Sequence, residues 1–142
     1  MYRHILIPLE NSASDEAILR HIRPLAKLTQ ARLTIIHVAD GFLARSQERF
    51  EESPEMKEDR AYLQKRQEEL AAEGFQVSAI LACGEPASQI VVAAQKEGCD
   101  LIAMATHGHT GLADLILGSV ANGVRHKTAL PVLLIQDTAG TN

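Results

Sequence analysis

The residues in this chain whose types and spacing could do chemistry are glycines and hydroxyls rather than paired acids or nucleophiles. In the stretch LIAMATHGHTGLADLILGSV, Leu101 to Val120, an apolar run ends at Thr106-His107-Gly108 and passes through the polar turn His109-Thr110-Gly111. It then reaches Gly118-Ser119 just before a second helical pattern. A strand, a flexible turn and a Gly-Ser pair opening a helix can bend backbone around a phosphate. The first turn of a helix leaves amide groups unpaired at the positive end of its dipole, and glycine removes the side chain that would keep an anion at a distance. The stretch is read as a nucleotide-phosphate cradle. Spacing by itself is met as well or better by an ordinary turn at Gly108 and Gly111 and a helix cap at Gly118, so the rest of the chain has to decide.

Other reactive groups are sparse. His107 and His109 lie two apart with no carboxylate or cysteine at ligand spacing beside them, which argues against a metal pair. His37 sits in a β-branched run without a second ligand and is expected to pack. Cys83 and Cys99 form no CxxC and are expected to be small buried residues. No lysine of the GK[ST] type follows a glycine-rich loop, and there is no nucleophile elbow. Glu10, after the first strand, is the one acid well placed to act as a base.

The elements that must position these groups follow from periodicity. Arg3 to Leu9, Arg32 to Val38, Gln76 to Ala82, Asp100 to Thr106 and Pro131 to Gln136 read as buried parallel strands. Between them lie four helical patterns. The first carries Ala17, Ile18, Ile22, Leu25 and Leu28 as its inward stripe, with a capping box from Ser12 to Asp15 and an expected kink at Pro24. The second runs from Glu58 to Glu73, with Tyr62, Leu63, Leu70 and Ala71 inward, a Lys65–Glu69 pair, and Gly74 as its left-handed end. The third starts at Pro86 and points Ala87, Ile90, Val91 and Ala94 inward as far as Gly98. The fourth runs from Ser119 to Lys127. The segment from Ala39 to Asp59 is charged and weakly patterned, and a connection of that length is either a functional flap or a mobile stretch.

The sequence has 142 residues, 46% of them apolar, no tryptophan and a net charge of -4. These values indicate a single domain over 1–142 with a frayed tail at 137–142, and no basic footprint for nucleic acid. No apolar run is long enough for a membrane span and no signal-peptide pattern opens the chain, so a cytoplasmic location is expected. Strict alternation of strand and helix gives an open α/β fold. With right-handed crossovers and both faces covered, the simplest five-stranded parallel order is 3-2-1-4-5. The winding direction then reverses between the first and fourth strands, and ligands bind outside the carboxyl ends of the strands at such a point. Pro8-Leu9-Glu10 and Ala105 to Gly111 meet there. A receiver-type phosphorelay domain would need an aspartate ending the third strand, where this chain has Cys83-Gly84.

ILIPLENS near the start, HVAD, GEPASQIV, and THGHTGLADLILGSVANGV followed by LPVLLI together resemble the universal stress protein family, from Tyr2 to about Gln136. The nucleotide-binding branch of that family carries glycine, two residues, glycine, nine residues, then Gly-Ser or Gly-Thr. The chain matches at Gly108, Gly118 and Ser119 and has Ala105 at the first glycine. A positive φ there would make alanine cost about 1–2 kcal/mol, whereas a need for a small side chain would cost nothing. Glu10 stands where the family usually has aspartate. The resemblance implies an adenine walled by Pro8, Leu9 and Val38, which also offer it backbone groups, with the Glu10 carboxylate able to accept from the ribose or the adenine amino group. It places Met104, Ala105 and Gly108 along the ribose and first phosphate, and Gly118, Ser119 and Val120 at the outer phosphates, with His109 and Thr110 within reach. The expected ligand is ATP or AMP, with magnesium or manganese held through the phosphates. A binder or sensor is favoured over an efficient catalyst; slow ATP hydrolysis and a dimeric interaction module that binds no nucleotide are the alternatives. The uncharged outer strand Val132 to Ile135 leads to an expected homodimer along that edge, which the resemblance also implies.

Overall fold

A computed structural model describes residues 1–40, 53–107 and 118–137. The turn Gly108 to Gly111, residues 41–52 and the tail from 138 lie outside the described residues. The described elements are β1 (His4–Pro8), α1 (Ser14–Thr29), β2 (Arg32–Asp40), α2 (Pro54–Ala72), β3 (Val77–Gly84), α3 (Pro86–Glu97), β4 (Leu101–His107), α4 (Ser119–Lys127) and β5 (Val132–Asp137). The strands form one parallel sheet in the order β3-β2-β1-β4-β5, as the alternation of the sequence predicts.

Each central strand sends alternate side chains to opposite faces. Ile5 and Ile7 of β1, Leu33 and Ile35 of β2, and Leu101 and Ala103 of β4 pack with Ile18, Leu19 and Ile22 of α1 and with Leu63 and Leu70 of α2. Leu6, Ile36, Ile102 and Met104 turn to the other face, against Ile90 and Ala94 of α3 and Val124 of α4. The pairing of the strands is uneven. β1 follows β2 from His4–Arg32 to Pro8–Ile36, and β4 follows β5 from Ile102–Val132 to His107–Asp137. β1 and β4 pair only at Ile5–Leu101 and Leu6–Ile102. Asp100 clamps their amino ends. Its carboxylate accepts from the amides of Arg3 (2.9 Å) and His4 (3.1 Å), and its own amide donates to the His4 carbonyl (2.9 Å). Beyond Leu6 the two strands part.

Several local expectations change. α1 begins at Ser14 with Ala13 as N-cap and no side-chain cap bond, so of the expected Ser12–Asp15 capping box only one arm forms, the Ser12 amide donating to the Asp15 carboxylate. The helix runs through Pro24 to Thr29. Leu28 is 84% exposed rather than inward: at about 100° per residue it lies ~240° around the helix from Ile22. By the same geometry Ala71 is exposed beside buried Leu70. β2 extends to Asp40 and α2 starts at Pro54, so both ends of the 39–59 segment are regular structure. The Ser53 hydroxyl caps α2 by accepting from the Met56 amide (3.1 Å). Glu69 bonds Arg66 (3.3 Å) in place of the expected Lys65 pair. Cys99 is buried, and burial pushes its thiol up to about 11, whereas Cys83, near the end of the edge strand β3, is exposed. Among the described residues no helix is long and apolar enough to cross a membrane.

The placement of α4 depends on one close contact. A Cβ at Gly123 would stand 2.7 Å from the Cβ of Ala87 in α3, closer than two methyl groups can approach. Alanine at 123 would gain up to about 1 kcal/mol in helix propensity, but overpacking costs roughly 1–3 kcal/mol and neither helix can yield cheaply. Gly123→Ala is therefore expected to lower stability by about 1–2 kcal/mol in urea unfolding, and adding Ala87→Gly to recover more than half of the loss. A Gly123→Ala protein as stable as the parent would refute this packing.

Candidate functional site

Where β1 and β4 part, a cavity of about 180 Å³ opens at the carboxyl ends of the strands. Val38, Ile90, Met104 and Val120, all part of the α3/α4 core, wall one side. Leu9, Glu10, Asp15 and His37 wall the other, with Pro8 at the end of β1 and Ala105 two residues before the end of β4. Seven of the residues singled out in the sequence therefore line one crevice: Pro8, Leu9, Glu10, Val38, Met104, Ala105 and Val120. Gly118 and Ser119 precede Val120 at the exposed start of α4. Gly108 and His109 lie outside the described residues.

The hydrogen bonds show which backbone groups this crevice can offer. In β2 the even-numbered residues aim their amide and carbonyl at β1: the Arg32 amide donates to the Arg3 carbonyl (2.8 Å), and the Ile36 carbonyl accepts from the Leu9 amide (2.7 Å). Val38 continues that alternation past Pro8–Ile36, the last β1 pair, so its amide and carbonyl point across the crevice. Leu9 differs from expectation. Its amide goes to Ile36 and its carbonyl accepts from His37 Nδ1 (2.8 Å), so both groups are engaged within the protein while its side chain packs in the core.

The turn from β1 to α1 is shaped by Asp15, which is 1% exposed. Its carboxylate accepts from the amides of Glu10 (2.9 Å), Asn11 (2.9 Å) and Ser12 (3.3 Å), and from the Tyr62 hydroxyl of α2 (2.5 Å). Asn11 takes a left-handed φ of 59°, a conformation that asparagine tolerates. Burial and the bond to Asp15 push Tyr62 up to about 12, against the lowering effect of the bond from Arg66 Nε (3.0 Å). Arg66 also pairs with Glu16, whose carboxyl is held below its usual range chiefly by that bond. Glu10 extends over the first turn of α1, its carboxylate accepting from the hydroxyls of Ser14 (3.2 Å) and Ser12 (3.4 Å).

Ala105 lies within β4, and Asn11 and Gln30 are the described non-glycine residues at positive φ. Alanine at the first motif position therefore carries no left-handed strain. Gly118, by contrast, has φ 78°, and a Cβ there would meet nothing within 4 Å. It is the N-cap of α4, and among the described residues no side chain caps the first-turn amides, which lie beside Val120 of the crevice lining. Sequence reading missed Asp15, Tyr62 and Asp59. Asp15 has the signature of a helix cap, and its tyrosine partner is 47 residues away, so no local signal marks their meeting.

A model described as the universal stress protein family matches residues 1–136. Universal stress protein MJ0577 of Methanocaldococcus jannaschii is 32% identical, with 96% of each chain covered. The solved structure of MJ0577 superposes with a TM-score of 0.79 at 34% identity, over 96% of this chain and 97% of that one. A universal stress protein of Archaeoglobus fulgidus in complex with dAMP has a TM-score of 0.70 at 22% identity, over 94% and 98% of the two chains. A further solved structure, of a universal stress protein in complex with cAMP, has a TM-score of 0.72 at 20% identity, over 95% and 97% of the two chains.

The Asp15–Tyr62 bond can be tested directly. Because the fold raises the Tyr62 pKa, its contribution is whole below about pH 10 and is lost as pH rises through about 12. Tyr62→Phe is expected to lower urea-unfolding stability at pH 7 by about 1–2 kcal/mol, and to flatten the loss of stability between pH 10 and 12. A variant with the parent's stability and alkaline profile would show that the bond does not hold the turn.

Proposed function

Since the chain belongs to the universal stress protein family, we propose that it is a stress-response binder or sensor of adenine nucleotides, AMP or ATP, rather than an efficient catalyst. One observation carries this reading: the crevice between the carboxyl ends of β1 and β4 has the backbone edge of Val38 on one wall and, beside Val120, the start of α4, which no side chain among the described residues caps. The base enters between Val38, Met104 and Ile90, an apolar slot with one amide and one carbonyl for orientation. The phosphates follow toward Gly118-Ser119, where first-turn amides and the helix dipole favour negative charge. Complexes of family members with dAMP and cAMP support the choice of an adenine nucleotide.

No three histidine, cysteine or carboxylate side chains converge among the described residues. A magnesium or manganese ion, where one is needed, travels with the phosphate oxygens it prefers. Glu10 stands at the crevice with its carboxylate already engaged by two serine hydroxyls, which suits a polar contact to ribose better than a base for hydrolysis.

Assembly is proposed along β5. This edge strand presents half-buried Val132 to Ile135, and beside it a groove of about 530 Å³ runs along α1 past exposed Leu28. Pairing of two β5 edges in a homodimer would satisfy a backbone edge that is otherwise a liability. Light scattering at micromolar concentration is expected to give twice the chain mass; a monomer would contradict the dimer.

Thermal shift tests the nucleotide reading. At a hundredfold excess over Kd a ligand stabilises by about 2.7 kcal/mol, a rise of several degrees in Tm. AMP or ATP is expected to give such a rise, and Gly118→Val to abolish it, because a side chain there fills the space open to phosphate and strains the left-handed backbone. No rise with any adenine nucleotide at millimolar concentration would leave the interaction-module alternative standing.

A further inference from the structure

We infer that His37, held by Asp59 of α2, is a positioning residue for base recognition: by engaging the Leu9 carbonyl it keeps the backbone edge of Val38 open to adenine. The inference rests on the nucleotide reading above and adds residues that no strand tip or phosphate motif supplies. The β1–β2 ladder ends with the Leu9 amide on the Ile36 carbonyl (2.7 Å). Its next rung would run from the Val38 amide to the Leu9 carbonyl. That carbonyl meets the His37 ring, 2.8 Å from Nδ1, and the chain turns away at Glu10. A carbonyl only accepts, so Nδ1 carries a proton.

The far side of the ring is fixed from another element. His37 Nε2 stands 3.1 Å from Asp59 Oδ2, to which it donates when the ring carries both protons, forming an ion pair, and both side chains are largely buried at 15% and 18% exposure. The other oxygen of Asp59 accepts from the Asn11 side-chain amide (3.2 Å). Asp59 thus ties the end of β2 and the β1–α1 turn to α2. The remaining acids around the crevice have other duties: Asp15 holds the turn amides and Glu10 the serine hydroxyls.

Adenine presents an accepting ring nitrogen beside a donating amino group, which matches one amide and one carbonyl, whereas guanine reverses that pair on the same edge. Losing the His37 bond should therefore cost adenine selectivity as well as affinity. Titration calorimetry with AMP and GMP tests this on the parent, His37→Leu, His37→Asn and Asp59→Ala. His37→Leu is expected to weaken AMP about tenfold, the loss of roughly one backbone hydrogen bond, with GMP little changed. His37→Asn retains a side-chain amide near the Nδ1 position and should recover most of the AMP affinity. Asp59→Ala should weaken AMP by roughly threefold. In imidazole 15N spectra of the nucleotide-free parent, Nδ1 of His37 should be protonated.

A parent that binds no AMP would overturn the nucleotide reading and this inference with it. A parent that binds AMP while folded His37→Leu keeps the same AMP-to-GMP ratio would overturn the positioning role alone. So would a ring protonated at Nε2 only. Should His37→Leu not fold, unchanged AMP affinity in Asp59→Ala is the overturning result.

Discussion

The structure depends on a constraint of winding. A sheet covered on both faces by right-handed crossovers must reverse direction once, and here the reversal falls between β1 and β4. The chain leaves β1 toward α1 on one face and leaves β4 toward α4 on the other, so the two strand ends cannot stay paired. Asp100 binds their amino ends, and the ladder between them stops after two registers. The resulting crevice exposes backbone without breaking the fold, because the rungs missing on one side of each strand are kept on the other by β2 and β5.

A parted pair of strands needs something to stop the gap from collapsing. The buried Asp15 carboxylate does this for the β1–α1 turn by collecting three backbone amides and the Tyr62 hydroxyl. A buried carboxylate is costly unless its lone pairs are filled, and these four donors offset that cost. Tyr62 belongs to α2, and Arg66 behind it reaches Glu16 of α1, so two helices far apart in sequence share responsibility for one turn. Asp59 makes a second link from the same helix. Two of the links from α2, Tyr62 to Asp15 and Asp59 to His37, end on walls of the crevice.

A site built from backbone edges and a helix start tolerates side-chain change. Ala105 replaces a glycine of the family pattern, yet its place in a regular strand removes any conformational demand for glycine. Glu10 replaces the usual aspartate and is anchored by Ser12 and Ser14. Gly118 is different: its φ of 78° and the open space in front of it make it the position where a side chain would both strain the backbone and occupy the crevice rim.

Periodicity in the sequence determined the strands, the helices, their parallel order and the crevice between Pro8 and Ala105, because hydrophobic spacing and crossover handedness are local rules that leave one simple arrangement. Strand ends were legible to within a residue or two, and the beginning of α2 was obscured by the charged run before Pro54. Inward faces were legible where apolar residues recur at helical spacing, as at Ile18 and Ile22, and misread at Leu28 and Ala71, where an apolar residue lies off the stripe. Only the tertiary structure decided that Asp15 folds a turn instead of capping a helix, that His37 takes the Leu9 carbonyl, and that Tyr62 and Asp59 stand behind both. Hydrogen bonds between residues tens of positions apart leave no periodic trace in the chain, since their partners become neighbours only after the sheet has brought α1 and α2 together.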